Sequence, residues 1–127
     1  MRIVQVIPEL NEGGVERGVV ELNREFVKKG IESFVISAGG KLENQINLDG
    51  GNHVKFDVCS KNIFTAFRRV KGLQKILKEI KPDIIHVRSR VPAWLVYFAN
   101  KSLKIKIVST VHGFNSIGFY SSIMQKA

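Results

Sequence analysis

The densest chemistry in the chain lies where an apolar run, Ile3, Val4, Val6 and Ile7, gives way to Pro8-Glu9-Leu10-Asn11-Glu12-Gly13-Gly14-Val15-Glu16-Arg17. The apolar run has no helical period and reads as a strand buried on both faces. Adjacent glycines after it leave peptide N–H groups bare at the mouth of a helix, where unpaired donors and the positive end of the helix dipole suit a phosphate or carboxylate. The same pair also reads as a simple tight turn. Gly13, Gly14 and Gly18 do not make a G-x-G-x-x-G fingerprint, and no Walker lysine and serine follow.

Two more polar clusters end apolar runs: Arg88-Ser89-Arg90 after Asp83–Val87, and His112-Gly113-Phe114 after Lys104–Val111. A guanidinium fork suits phosphate or carboxylate, and an extended chain turns Arg88 and Arg90 to opposite sides, so one of them faces any crevice. The alternative is a pair of solvated loop arginines. His112, between a strand end and a glycine, reads either as a functional group or as a histidine bonded to backbone. His86, inside an apolar run, reads as a satisfied core histidine, and His53 as a surface histidine in a polar turn.

The elements that must position these clusters alternate. Val15, Val19, Leu22 and Phe26 recur at helical spacing, and Lys28-Lys29-Gly30 closes that helix. Strands are expected at Phe34–Ser37 and Val54–Val58, with one or two helical turns in Lys41–Asp49 between them. Asn62 reads as a cap for a helix to Ile80, whose apolar stripe is Ile63, Phe67, Val70, Leu73, Leu77 and Ile80. Arg68, Arg69, Lys71, Lys75 and Lys78 crowd its other side, which suits a solvated face or an anionic lipid surface. Pro82 stops this helix, Pro92 opens the next, and Ser116–Lys126 begins another. Right-handed crossovers then give an α/β fold: a doubly wound, parallel, five-stranded sheet of order 3-2-1-4-5. Ligands of such sheets bind beyond the carboxyl ends of the strands, where all three clusters lie.

Composition agrees with one globular domain: 127 residues, 44% apolar, with no run long enough to span a membrane. The opening Met-Arg-Ile-Val enters a strand with no signal peptide, so a cytoplasmic location is expected. Cys59 alone excludes an internal disulfide, and three separated histidines show no zinc spacing. The net charge of +9 implies an anionic partner. Nucleic acid is disfavoured because the cations sit on helix backs without interleaved aromatics. A Rossmann dehydrogenase is excluded by the missing fingerprint and by Ser37-Ala38-Gly39-Gly40, which offers no acidic ribose ligand.

Four stretches together carry a resemblance: Gly13–Arg17, Lys81–His86, Arg88–Trp94 and Thr110–Phe114. They resemble the N-terminal half of family 4 glycosyltransferases, the retaining, nucleotide-sugar-dependent enzymes of GT-B architecture. The Arg-Ser-Arg-x-Pro-Ala-Trp run is similar to members that build lipopolysaccharide or other envelope glycans. The resemblance implies that residues 1–127 are the acceptor-side Rossmann-like domain. In it Gly13 and Gly14 approach the donor phosphates, Glu12, Glu16, Arg17, Arg88 and Arg90 serve the acceptor, and His112 lies beside the transferred sugar. It implies same-face attack assisted by the leaving phosphate, with no metal and no other cofactor. It also implies peripheral attachment to an acidic membrane surface through the basic helix. The family's donor-binding domain, with its paired glutamates, has no counterpart in these residues, so the chain alone is expected to be an inactive truncated half. Phe114, Phe119, Tyr120 and Ile123 would then form an apolar patch and promote association. A stand-alone anion- or nucleic-acid-binding module is the alternative.

Overall fold

A computed structural model describes residues 1–11, 13–58, 60 and 62–110; residues 63, 90, 91 and 110 are described by their backbone alone. The elements, in chain order, are β1 (Arg2–Val6), α1 (Gly14–Lys28), β2 (Glu32–Ser37), α2 (Glu43–Leu48), β3 (Asn52–Lys55), a 3-10 turn (Ile63–Thr65), α3 (Ala66–Ile80), β4 (Ile84–Arg88), α4 (Arg90–Ala99) and β5 (Lys106–Thr110). The five strands form one parallel sheet of order β3-β2-β1-β4-β5, as the crossover rule requires. Register runs Val4 to Phe34 and to Ile85, so β1 sits at the centre between β2 and β4.

Successive strand residues face opposite ways, and each face is covered separately. Val4, Val6, Ile36, Ile85 and Val87 pack with Leu73, Leu77 and Ile80 of α3 and Leu95, Val96 and Ala99 of α4 in one continuous core. On the other face Ile3 and Ile84 pack with Leu22 and Phe26 of α1, and Ile7 and Val35 with Val19 of α1 and Ile46 of α2. Arg2 closes the amino end of the sheet, its Nη1 donating to the Ile80 carbonyl (2.8 Å) and its Nε to Glu32 (3.0 Å).

Several expected boundaries move. β2 begins at Glu32 rather than Phe34, and β3 covers Asn52–Lys55 rather than Val54–Val58, because its pairing with β2 starts at Phe34 opposite Asn52. α4 starts at Arg90, two residues before Pro92, since the first turn of a helix tolerates proline. Asn62 does cap, accepting the Phe64 N–H at 2.9 Å, but it caps the 3-10 turn that leads into α3. Val15 is exposed rather than part of the α1 stripe, and Phe67 points to solvent rather than into the α3 stripe. Among the described residues no helix is long and apolar enough to cross a membrane.

Candidate functional site

The strand order changes direction between β1 and β4: the chain leaves β1 towards β2, and β4 towards β5. α1 and α4 therefore open on either side of one point at the carboxyl edge of the sheet, α1 after Gly13 and α4 after Ser89. Both present first-turn N–H groups there.

Gly13 does not use the conformational freedom expected of it. Its φ of −169° is extended backbone that any residue adopts, and its carbonyl accepts the Arg17 N–H at 3.0 Å. Nor is the space around it closed by anything rigid: a Cβ on Gly13 would meet only a carboxylate oxygen of Glu16, the flexible tip of a side chain that folds back over it. Glu16 thus places a negative charge at the amino end of α1, where an anionic ligand would otherwise lie. Beside it Gly14 is exposed, with nothing within 4 Å of where a Cβ would be, and Arg17 is exposed.

The turn is held from behind. Beyond the regular strands, Ala38 N–H bonds Pro8 O (2.9 Å), Leu10 N–H bonds Gly39 O (3.0 Å) and Leu42 N–H bonds Leu10 O (2.7 Å). Here glycine freedom is required. Gly39 and Gly40 have φ of 102° and 152°, and a Cβ on Gly40 would meet the Leu10 carbonyl carbon at 2.5 Å. The loop after β2 thus carries the segment that leads into Gly13.

That loop is fixed by a cluster the sequence reading missed. His53 is not a surface residue: it stands in β3 with its side chain 2% exposed, Nε2 2.6 Å from Ser37 Oγ and Nδ1 3.4 Å from Glu43 Oε1. Burial lowers its pKa, against Glu43, which raises it, and with Lys55, which lowers it. The neutral ring with hydrogen on Nδ1 satisfies both partners, leaving Nε2 to accept from the Ser37 hydroxyl. The order serine, histidine, carboxylate is that of an activated nucleophile. Ser37 is fully buried, however, and its Oγ already accepts the Gly39 N–H at 3.0 Å, so the cluster acts as a brace for the loop. The usable signal was Ser37 two residues before a glycine pair, with a histidine at strand distance.

Across the change of direction, Arg88 ends β4 and is 8% exposed, its Nη2 donating to Gln5 Oε1 at 3.4 Å, while Gln5 Nε2 donates to the Val19 carbonyl of α1 at 3.2 Å. Arg88 is thus an embedded cation at the switch point rather than a loop arginine. Ser89 has φ 79° and ψ 157°, a region that non-glycine residues rarely occupy. Arg90 begins α4. His86 is buried as expected, and burial, then Arg88, lowers its pKa to about 3, which keeps the ring neutral.

Gly13, Gly14, Glu16 and Arg17 therefore share the amino end of α1, while Arg88 and Arg90 flank Ser89 across the switch point. Glu12, Cys59, His112 and the expected patch of Phe114, Phe119, Tyr120 and Ile123 lie outside the described residues. Among the described residues no group of three His, Cys, Asp or Glu side chains is placed to hold a metal. The arrangement can bind an anion between two helix mouths, with an arginine behind it.

A family profile described as Glycosyltransferase Family 4 matches residues 12–126. The chain is 33% identical over 88 residues to a Campylobacter jejuni protein named as an N-acetylgalactosaminyltransferase acting on an undecaprenol-diphosphate-linked glycan, covering 66% of the chain and 24% of that protein. It is 31% identical over 118 residues to a Lactobacillus helveticus protein named as the N-acetylglucosamine transferase acting on N-acetylmuramyl-(pentapeptide) pyrophosphoryl-undecaprenol, covering 91% and 30%. A crystal structure of a glycosyltransferase from Rickettsia africae superposes with a TM-score of 0.76 at 35% identity, over 98% of the chain and 34% of that protein. The chain spans about a quarter to a third of the length of these relatives.

Proposed function

The chain belongs to glycosyltransferase family 4, and on that premise we propose that it forms the acceptor-side half of an enzyme moving a sugar from a nucleotide-sugar to a lipid-linked envelope glycan. The position of the Gly13–Gly14 turn at the switch point, at the same carboxyl edge of the sheet as the mouth of α4, carries this reading. The named acceptors of the two curated relatives, both undecaprenol-linked diphosphates, support the lipid-linked class.

In this role the bare N–H groups of the first turn of α1 receive the donor phosphates as negative charge grows on the leaving group, a stabilisation largest where water is excluded. Glu16 swings off Gly13 when the anion arrives, and Gly13 and Gly14 allow the approach because neither carries a side chain. Glu16, Arg17 and Arg90 contact the acceptor, and Arg88 fixes the local potential from below through Gln5. His112 orients the acceptor hydroxyl beside the transferred sugar, with attack from the face the leaving phosphate occupies, so configuration is retained. A second domain supplies most donor contacts, and the 127 residues alone turn nothing over. The enzyme works at an acidic membrane surface on its cytoplasmic side.

The test is an NMR titration of the 127-residue chain with a water-soluble, short-prenyl diphosphate-linked sugar, and separately with a nucleotide diphosphate. Shifts confined to Gly13–Arg17 and Ser89–Arg90 are expected, with no product in the presence of any nucleotide-sugar. Absence of shifts at both helix mouths would overturn the site. Product formed by this chain alone would overturn the division of labour.

A further inference from the structure

Among the buried residues of β1, Gln5 alone is polar, and it has no exposed surface. Packing would be better served there by an apolar side chain, since burying an amide costs free energy unless its hydrogen bonds are made. Both ends of this amide are used. Nε2 donates to the Val19 carbonyl of α1 at 3.2 Å, and Oε1 accepts from Arg88 Nη2 of β4 at 3.4 Å. The amide has one workable orientation. A backbone carbonyl only accepts and a guanidinium only donates, so the flipped amide would set acceptor against acceptor and donor against donor.

Strand alternation puts Gln5, His86 and Arg88 on the side of the sheet that α1 covers. Gln5 lies opposite His86 in the β1–β4 register, and Arg88 follows His86 by two residues along β4. Burial keeps the His86 ring neutral, so it adds no second charge beside the guanidinium. Val19 belongs to the second turn of the helix that opens at Gly13. One side chain on the central strand therefore bonds both that helix and the cation at the switch point. An arginine loses much rotamer freedom when it is fixed, and a rigid partner removes that loss before any ligand arrives.

We infer that Gln5 is a positioning residue: it holds the Arg88 guanidinium against α1, so that an anion at the mouth of this helix meets a cation already oriented. This role rests on the proposed anion site and names the residue that sets its charge in place.

Two replacements of similar length separate orientation from charge. Gln5→Met loses both hydrogen bonds, while Gln5→Glu keeps the shape, opposes the Val19 carbonyl and neutralises Arg88. Each is compared with the wild-type 127-residue chain in two NMR measurements. The first follows the Arg88 guanidinium, which when bonded at Nη2 should turn slowly about Nε–Cζ and give separate Nη signals. These should merge in Gln5→Met. The second follows the Gly13–Arg17 amides on titration with inorganic pyrophosphate, with the folded fraction fixed by urea unfolding. Affinity should fall roughly fivefold in Gln5→Met and roughly tenfold or more in Gln5→Glu. A residue that only supported the fold would lower stability and leave the affinity of the folded chain unchanged. If Gln5→Glu does not fold, Gln5→Met and the guanidinium signals decide alone. Merged Nη signals in the wild-type chain, or separate ones that persist in Gln5→Met, overturn the inference. So does equal pyrophosphate affinity in the wild type and the folded variants. Absence of any pyrophosphate shift in the wild-type chain would overturn the anion site instead, while the guanidinium signals still decide what Gln5 does.

Discussion

The two faces of the sheet are built from different materials. Under α3 and α4 the buried strand residues are all apolar: Val4, Val6, Ile36, Ile85 and Val87. The face under α1 and α2 carries Gln5, Ser33, Ser37, His86 and Arg88 on its strands and Asn23 on α1, all buried. Burying each of those groups costs free energy unless it is paired, so packing alone would not select them. The polar face is the one whose helix opens at Gly13. The difference teaches that one side holds the domain together and presents a surface outward, while the other side gives up stability to fix a charged edge and the loop beneath the glycine turn.

The contrast can be broken from the apolar side first. Leu77→Ala, at the centre of the continuous core, should cost about 2–5 kcal/mol in urea unfolding, because the cavity lies between α3 and a rigid sheet. On the polar side the largest effect should come from backbone. Gly40→Ala should cost about 2–3 kcal/mol, since it strains φ and drives a Cβ into the Leu10 carbonyl, whereas Gly13→Ala need only displace the tip of the Glu16 side chain.

Acid should separate the faces next. His86 has a folded pKa of about 3, below its ordinary 6.5, so the unfolded chain binds the proton first as pH falls. Stability is therefore full above about 6.5 and lost on the way down, by about 2 kcal/mol between pH 8 and pH 5. His53, lowered in the same direction, adds to that slope. Chemical denaturation across this range should show the loss, and His86→Leu should flatten it. Ser89→Gly should stabilise by about 1 kcal/mol by relieving the positive φ. Smallest of all, Phe64→Ser with Phe67→Ser should leave the melting free energy within about 0.5 kcal/mol, because neither side chain is buried. A large loss there would mean that the two phenylalanines belong to the core.

The sheet order was legible because four right-handed crossovers between apolar runs leave few arrangements, and Ile84 to Val87 reads as buried as plainly as Ile3 to Ile7 does. The amino end of α1 was legible as a place, though the fold of Glu16 back over Gly13 was not, since a side chain's close approach is invisible without coordinates. His53 was misread because Gly50-Gly51 suggested a longer turn, and a strand starting two residues earlier carries the ring inward. Phe67 was assigned to the apolar stripe on spacing alone. On a helical wheel it stands closer to Lys71 than to Leu77, and spacing that counts apolar residues without their angle cannot tell a core from an exposed edge.

The central position of β1 has a consequence for how the chain is made. Ile3 pairs on one side with Ser33 and on the other with Ile84. During synthesis the first partner arrives within about thirty residues, but the second edge of β1 stays open until β4 leaves the ribosome some eighty residues after it. Through that interval Val4 and Val6 lack both their neighbour strand and the two helices that cover them, so the nascent chain carries an open apolar edge, and closing the β1–β4 pair spans the longest sequence separation in the sheet.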